Sequence, residues 1–294
     1  MSEKDWLAER FEENRGRMRS VAYRMLGSLT EADDAVQEAW LRLSRSDASQ
    51  IGNLGGWLTT VVARVCLDLL RSRTSRREES MDADKPEPAA HPSRSADPEQ
   101  EALLADSVGL ALLVVLQRLT PAERVAFVLH DMFAVPFDEI GEIVGREPAA
   151  ARQLASRARR RVRGTGTVPD PNLSEQRRMI DGFLAALRAR DVDGLVALLD
   201  PDFAVRADPG AGAAGALAEL HGARAWAKQA ITYSRGARFT RPVLVNGSVG
   251  AVLAPGGKLL RALVFTFANG KIAHMEVIAD PARLAQLELA ALDD

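Results

Sequence analysis

Arginine side chains are concentrated between residues 146 and 163. This stretch contains seven arginines and one acid, Glu147. A guanidinium group binds phosphate and forms paired hydrogen bonds with guanine, so a helix this rich in arginine is typical of a surface that enters the major groove of DNA. The alternative is a solvated basic helix end that binds nothing. The residues proposed to contact DNA here are Arg146, Arg152, Gln153, Ser156, Arg157, Arg159 and Arg160.

A second basic stretch covers residues 64–77, with five arginines and one acid, Asp68. Trp57, beside the glycine-rich loop at residues 52–56, could stack on an unpaired base. Two ordinary roles compete with nucleic-acid binding, because arginines at a helix C-terminus complement the helix dipole and a tryptophan at a helix start is more often part of a core. The proposed contacts are Asn53, Trp57, Arg64, Arg71 and Arg73.

An acidic helix face precedes both basic stretches. Thr30 is predicted to cap a helix whose first turn is acidic. One side of this helix is apolar and is formed by Ala35, Val36, Ala39, Trp40 and Leu43. The other side carries Asp33, Asp34, Gln37 and Glu38. That side is either a docking surface for a basic partner or only a solvated face.

Helices are predicted to position all of these groups. Apolar residues recur at helical spacing in residues 11–26, in the acidic helix and in residues 57–73. Thr120, Pro121 and Glu123 predict a further helix start with a capping box. A short amphipathic helix at residues 137–144, a turn at Gly145 and the basic helix at residues 149–163 then predict a helix-turn-helix.

The last part of the chain has a different pattern. Two amphipathic helices precede β-strand patterns at residues 203–206, 243–245, 249–253, 260–267 and 272–278. Asn246-Gly247 and Asn269-Gly270 predict hairpin turns, and a closing helix is predicted at residues 281–292. Helices packed on a curved antiparallel sheet make an α+β domain. Its acid–base candidates are Asp208, His221, His274 and Glu276, the last two on one face of a strand.

Composition excludes several classes of protein. The 294 residues include one cysteine, Cys66, which excludes a disulfide framework, fits a reducing compartment and is expected to be an inert core thiol. Four scattered histidines predict no metal site, and no cofactor is expected. No apolar run approaches the roughly 20 residues of a membrane span, and the N-terminus is unlike a signal peptide. The expected location is the cytoplasm, without membrane binding.

The formal net charge of −2 hides an uneven distribution. Residues 77–100 contain seven acidic and three basic side chains and four prolines, which is typical of an unstructured linker. The other segments are nearly neutral as wholes. The predicted divisions are a helical domain at residues 1–76, the linker at 77–100, the helix-turn-helix domain at 101–164, a short linker at 165–172 and the α+β domain at 173–294.

Several stretches resemble bacterial sigma factors of the extracytoplasmic-function group. AYRMLGS at residues 22–28, ADDAVQEAWL at 32–41 and WLTTVVAR at 57–64, with Asp68, are similar to region two. LTPAER at residues 119–124, PFDEI at 136–140 and the basic helix are similar to region four. The stretches follow the order of the family and, with the linker, span about half of the chain.

The resemblance implies a function in transcription initiation. Core RNA polymerase would bind the acidic helix through its β′ clamp helices and region four through its β flap. The loop at Asn53 and the helix from Trp57 would bind and melt the minus-ten promoter element, and the helix around Arg152 would read the minus-thirty-five element. The free protein would be a monomer that binds promoter DNA poorly without the polymerase. The implied polymerase contacts are Asp33, Asp34, Gln37, Glu38, Trp40 and Leu41.

The last 120 residues resemble the SnoaL-like, nuclear-transport-factor-two-like cone fold. Such an extension occurs in a sigma factor group that includes the mycobacterial sigma factor J, where it modulates activity through contact with the sigma domains. The stretch ADPARL at residues 279–284 is similar to the Asn-Pro-Asp-Lys-Leu stretch of that family. The residues implied in the contact are Pro86, Glu87, Pro88, Asp208, Asp280 and Pro281.

Two departures from the family pattern affect this contact. The family linker carries Trp-Leu-Pro-Glu-Pro, of which only Pro86-Glu87-Pro88 remains here. The family loop Asp-Gly-Gly-Gly-Lys is represented by Asp208-Pro209-Gly210-Ala211-Gly212, without the lysine. Both changes are expected to weaken the contact between the linker and the cone domain.

The sequence therefore predicts a multidomain chain with two all-α domains and one α+β cone domain. Its predicted function is that of a non-enzymatic sigma factor with a regulatory C-terminal domain. One alternative is an enzyme in which the cone domain is catalytic and the helical part localises it. The other is a helix-turn-helix regulator with a ligand-sensing or enzymatic cone domain. An ordinary helix-turn-helix repressor would form a stable dimer on palindromic DNA.

Overall fold

The computed structural model describes residues 3–47, 51–82, 109–164, 172–209 and 219–292. Its contacts group the chain into two compact units. Unit 1 comprises Met1–Val108 and Leu116–Arg159, and unit 2 comprises Gly109–Val115 and Arg160–Asp294. Within the described ranges, no helix combines the length and the apolar content that a membrane span requires.

Unit 1 begins with three helices, α1 (Glu3–Leu26), α2 (Leu29–Leu43) and α3 (Leu54–Asp82). Gly27 ends α1 with a left-handed φ of +73°, and the Ser28 hydroxyl then accepts a hydrogen bond from the Glu31 amide at 3.4 Å. The predicted cap at Thr30 was wrong, because the glycine turn allows α2 to begin directly after α1. Helix α3 is longer than predicted and continues to Asp82, inside the segment predicted as a linker.

Cys66 lies in the core between these helices and is fully buried, as expected. Burial raises the pKa of its thiol to about 12. Because the thiolate is the reactive form, we expect no labelling of the folded chain by iodoacetamide at pH 8 and rapid labelling in denaturant. Mass spectrometry of both samples checks this, and labelling of the folded chain at the denatured rate would contradict it.

The second part of unit 1 is a helix-turn-helix. After α4 (Leu110–Leu116), which contributes its residues up to Val115 to unit 2, α5 (Pro121–Phe127) begins with the predicted capping box of Thr120 and Glu123. A π-helical turn (Val128–Met132) connects it to α6 (Phe137–Val144). Gly145, with φ +70°, provides the left-handed turn into α7 (Pro148–Arg163). The predicted short helix, glycine turn and basic helix are confirmed.

Polar contacts join the two parts of unit 1. The Arg124 guanidinium is 6% exposed and donates to the Met25 carbonyl at the end of α1, at 2.8 Å. Arg24, one residue earlier on α1, lies over the ring of Phe133 at 5.2 Å. Burial lowers the pKa of Arg24 from its usual value. The three N-terminal helices and the helix-turn-helix therefore pack as one body.

Unit 2 contains helices and a seven-stranded sheet, which confirms the predicted α+β class. Its helices are α8 (Leu173–Ala189), α9 (Val192–Leu198), α10 (Ala223–Ala230) and α11 (Pro281–Gln286). Its strands are β1 (Leu199–Ala207), β2 (Glu219–His221), β3 (Thr240–Val245), β4 (Ser248–Leu253), β5 (Arg261–Ala268), β6 (Lys271–Ile278) and β7 (Leu289–Ala290). The strand order is β2-β1-β6-β5-β4-β3-β7.

The sheet is mixed, and the prediction of a purely antiparallel sheet was wrong. Strands β1 and β6 pair in parallel, with Ala204 opposite His274, whereas the other pairs are antiparallel. A parallel pair cannot be joined by a tight turn, and here the chain between β1 and β6 forms β2, α10, β3, β4 and β5. Register shifts interrupt the β1–β6 and β5–β6 pairs, and such irregularities bend a sheet.

The closing helix is shorter than predicted. Helix α11 ends at Gln286, and the chain then forms β7 instead of continuing to residue 292. The buried residues Leu289 and Ala290 pair with Val245 and Leu244 of β3. The Asn246 side chain fixes this pairing because its oxygen accepts the Glu288 amide hydrogen at 2.9 Å. Backbone pairing at a free sheet edge therefore outweighs the local helical pattern.

Candidate nucleic-acid and polymerase interfaces

Helix α7 presents one polar face and one apolar face. Ala151, Ala155 and Ala158 are fully buried. Small alanines on the inner face allow close approach of the neighbouring helices, and the helical period places the long polar side chains outside. Four of the predicted DNA contacts are exposed, and their spacings of one, three and four residues place them on one side of the helix. They are Arg152, Gln153, Ser156 and Arg157.

The remaining predicted contacts of this region have different environments. Arg152 lies over the Phe137 ring at 5.3 Å, which orients its guanidinium. The Arg159 guanidinium is already paired with Asp131 at 2.5 Å. Arg146, in the turn before α7, and Arg160, in its last turn, are exposed. Arg157 is exposed and has no hydrogen-bond or ion-pair partner among the residues that the structure describes, so its guanidinium is available to a ligand.

The loop before α3 forms a groove of about 590 Å³. Asn53 caps α3, because its Oδ1 accepts the Gly56 amide hydrogen at 3.0 Å. A Cβ at position 56 would lie 2.8 Å from the Asn53 amide nitrogen, so a larger residue there would displace the capping side chain. Trp57 and Thr60 line the groove, and Glu139 of α6 lines it from the helix-turn-helix side. The sequence predicted no separate role for Glu139, because acids are common in the first turn of a helix.

Helix α3 brings only some of its predicted arginines to the surface. Arg64 and Arg71 are exposed and, within the described ranges, have no hydrogen-bond or ion-pair partner. The Arg73 guanidinium instead pairs with Glu31 and donates to the Leu26 carbonyl at 3.3 Å. Arg73 therefore holds α3 against the start of α2, whereas Arg64 and Arg71 are available to DNA.

Helix α2 presents a surface of Asp34, Gln37 and Leu41, which we call the α2 surface. All three side chains are exposed and follow one another at spacings of three and four residues. Leu41 is 40% exposed and is the apolar member of this surface.

The other predicted polymerase contacts flank this surface and have partners inside unit 1. Asp33 pairs with Arg19 at 2.7 Å, and Glu38 pairs with Arg42 at 2.9 Å. Trp40 packs against Phe11 with ring centroids 5.0 Å apart, so part of its indole belongs to the core. The α2 surface is thus an apolar and polar patch with charged pairs at its border.

A carboxylate cluster in unit 2 gathers three of the predicted regulatory residues. The Asp208 carboxylate accepts the amide hydrogens of Ala279 and Asp280 at 3.0 and 3.2 Å and pairs with Arg283, which also binds Glu276 at 2.8 Å. Asp280 caps α11, and Pro281 is its first residue. The other half of the predicted contact, Pro86, Glu87 and Pro88, and the loop residues 210–212 lie outside the described residues.

Burial alone would raise the pKa of the Asp208 carboxyl. The amide hydrogen bonds from Asp280 and Ala279 and the Arg283 guanidinium outweigh burial and hold this pKa below its usual value. The pKa of an aspartate carboxyl is about 3.9 in an unfolded chain, so the lower pKa of Asp208 in the folded chain stabilises the fold at pH values above about 3.9. This stabilisation is lost as the pH falls through the pKa of the folded chain.

We expect Asp208→Ala to lower the free energy of local opening of α11 by about 2 kcal/mol at pH 7. The reason is that two amide hydrogens and one guanidinium lose their acceptor. Hydrogen exchange of residues 279–284 in the full chain measures this. Asp193→Ala is the matched control, because its carboxylate is exposed and its pairing with Arg224 at 3.4 Å is worth about 0–1 kcal/mol. Equal exchange in the Asp208 and Asp193 variants would contradict the assignment.

The predicted acid–base residues do not share a catalytic pocket. Met275 and Val277 of β6 line an apolar cavity of unit 2, so the alternating residues His274 and Glu276 face the opposite side of the sheet. Glu276 and Asp208 are bound to Arg283, and His221 is a surface residue 3.2 Å from Glu219. The described residues include no group of three His, Cys, Asp or Glu side chains that could hold a metal ion.

Family models match both helical parts of the chain. The model for Sigma-70 region 2 matches residues 10–76, and the model for Sigma-70, region 4 matches residues 109–162. These two parts contain the α2 surface with the groove before α3 and the exposed basic face of α7, respectively. Together they define a sigma factor.

Relatives match nearly the whole chain. "ECF RNA polymerase sigma factor SigJ" of Mycobacterium tuberculosis is 39% identical over 287 residues, covering 92% of this chain and 91% of the relative. "Probable ECF RNA polymerase sigma factor SigI" of the same species is 33% identical and covers 98% of both chains. The crystal structure of SigJ matches with a TM-score of 0.45 and 35% identity, over 94% of this chain and 98% of that chain. This chain therefore belongs to the extracytoplasmic-function RNA polymerase sigma factors.

Proposed function

We propose that this sigma factor docks on core RNA polymerase through the α2 surface. The observation that carries the proposal is the exposed Leu41 in line with Asp34 and Gln37. An exposed apolar side chain with polar neighbours is typical of a protein interface, and basic residues of a partner would complement the acids. In this proposal the partner surfaces are the β′ clamp helices for α2 and the β flap for the helix-turn-helix.

Promoter recognition is proposed for two surfaces of unit 1. The exposed face of α7 would read the minus-thirty-five element in the major groove, with Arg152, Gln153, Ser156 and Arg157 directed at bases and phosphates. The groove before α3 would receive an unpaired base of the minus-ten strand, with Trp57 as the stacking platform and Arg64 and Arg71 near the phosphates. Binding energy from the separated strand would offset the cost of opening the duplex.

The packing inside unit 1 supports a dependence on the polymerase. Glu139 of α6 lines the groove that Trp57 and Thr60 also line. A carboxylate at this place repels the phosphates of an incoming strand. The promoter would therefore enter only after the helix-turn-helix has moved away from α3, and binding to two separate polymerase surfaces would hold it there.

Regulation by the C-terminal domain is the remaining proposal. The proposed contact joins the linker at Pro86, Glu87 and Pro88 to Asp208, Asp280 and Pro281 of the C-terminal domain. The free chain is proposed to be a monomer. No catalytic step is proposed, and the location is the cytoplasm, where the polymerase acts. The domain divisions at residues 76, 100, 164 and 172 stay predictions. Regulation could be tested by removing the residues after 168, but Gly109–Val115 groups with unit 2, so such a truncation would leave part of unit 2 behind.

Cleavage of the intact chain is a better test, because it removes no element. A protease site placed between residues 165 and 171 allows the full chain to be cut after folding, and both samples are then compared in promoter-dependent transcription with core polymerase. We expect the yield of transcript to change by more than a factor of two. Equal yields from cut and uncut chain, with the two fragments shown by size-exclusion chromatography to have separated and the N-terminal fragment confirmed to bind polymerase, would contradict regulation by the C-terminal domain.

A further inference from the structure

A partly enclosed cavity of about 270 Å³ lies between the helices and the sheet of unit 2. Its wall is mostly apolar. Phe183 of α8 and Trp226 of α10 stack on one side with ring centroids 5.5 Å apart, and Leu263 and Met275 of the sheet line the other side. The volume is close to the lower end of the range for small-molecule sites, which is about 300–1,000 Å³.

The cavity contrasts with the well-packed core around it. Phe203, Leu195 and Ile180 next to this region are fully buried and closely packed. An apolar cavity lowers the stability of a fold because the side chains in its wall lose contacts that a filled core would provide. A ligand that fills this space restores those contacts, so the cavity favours binding of an apolar molecule.

Two half-buried polar side chains in the wall have no partner inside the described part of the chain. They are the half-buried Arg261 guanidinium, at the start of β5, and the Tyr233 hydroxyl, neither of which has a hydrogen bond or an ion pair there. The wall hydroxyls of Thr232 and Thr240 differ, because they donate to the carbonyls of Gln229 and Gly236 at 2.8 and 3.1 Å. The cavity therefore combines an apolar space with an unpaired cation and a free hydroxyl donor.

We propose that this cavity binds a small apolar carboxylate. The ring or chain of the ligand fills the space against Phe183 and Trp226, and its carboxylate accepts hydrogen bonds from Arg261 and Tyr233. The cavity holds the volume of about nine water molecules at roughly 30 Å³ each, which limits the ligand to one or two rings or a short acyl chain. His274 and Glu276 face away from the cavity and take no part in this binding. The inference concerns unit 2 alone and holds whether or not transcription assays succeed.

Isothermal titration of the full chain tests the proposal. The probes are benzoate, naphthalene-2-carboxylate and octanoate, each compared with its primary amide, which has nearly the same shape and no charge. We expect at least one carboxylate to bind with a Kd below about 1 mM and its amide to bind at least tenfold more weakly. Comparison of naphthalene-2-carboxylate with octanoate distinguishes a ring ligand from an acyl chain.

Three variants make the result specific. Arg261→Met keeps an unbranched apolar stem but removes the guanidinium group, and it is expected to weaken carboxylate binding at least tenfold while amide binding stays within twofold. Arg206→Met, on β1 of the same sheet, is the matched control, because Arg206 is exposed and is not part of the cavity wall. Ala207→Phe places a ring in the cavity and is expected to abolish binding of both probe types, with circular dichroism to confirm folding.

Each unfavourable result has a definite meaning. Failure of all three carboxylates to bind the unmodified chain overturns the proposal. Equal binding of carboxylate and amide, or unchanged carboxylate binding by Arg261→Met, overturns the assignment of the anion site. These readouts do not depend on Ala207→Phe, so the proposal remains testable if that variant fails to fold.

Discussion

Replacing Leu41 by aspartate is expected to weaken binding of the chain to core RNA polymerase about thirtyfold or more. The exposed leucine is the apolar centre of the α2 surface, and a buried charge without a partner costs about 2–4 kcal/mol at an interface. Surface plasmon resonance with immobilised core polymerase and the full-length chain measures the change. Because Leu41 is exposed in the free chain, its thermal unfolding should shift little.

Leu260→Asp is the matched control for this experiment. Leu260 is 42% exposed, almost the same as the 40% of Leu41, but it belongs to unit 2. We expect this control to bind polymerase as the unmodified chain does. Equal loss of binding in both variants would indicate a general effect of the added charge, and undiminished binding of Leu41→Asp would contradict docking through α2.

Replacing Arg157 by alanine is expected to weaken binding to a minus-thirty-five duplex by about 1–3 kcal/mol. The Arg157 guanidinium is exposed and has no ion pair or hydrogen bond within the described residues, so the variant removes a DNA contact without disturbing the fold. Arg152→Ala should give a similar loss, but it also removes the contact with Phe137. Fluorescence anisotropy of the polymerase-bound chain with labelled duplex measures both.

Arg178→Ala controls for the loss of one positive charge. Arg178 is exposed on α8 in unit 2 and has no assigned role in DNA binding. This control should leave the affinity for duplex unchanged within a factor of two. Unaltered affinity of both α7 variants would contradict the assignment of α7 as the reading helix.

The sequence predicts the helical part of the fold well, because its signals are local. The capping box at Thr120, the left-handed Gly145 and the alanine-rich inner face of α7 each determine a feature within a few residues. The exposed basic face of α7 follows from the same periodicity. The family resemblance adds the roles, which no spacing of residues could supply.

Features that depend on distant residues could not be predicted in this way. The parallel pairing of β1 with β6 and the short strand β7 depend on which edges of the sheet are free, and no local pattern records this. The positions of Glu139 beside Trp57 and of Arg261 in an apolar wall likewise follow from tertiary packing. A single acid or arginine within an otherwise ordinary element gives no signal of its own in the sequence.

Transcription of a genomic fragment library by core RNA polymerase, with and without the chain, tests whether the chain directs promoter recognition. We expect new transcription start sites only when the chain is present, each preceded by the same two-part motif at a constant spacing. These sites should be lost with Leu41→Asp and retained with Leu260→Asp. The absence of any new start site, with polymerase shown to be active on a control promoter, would contradict the account.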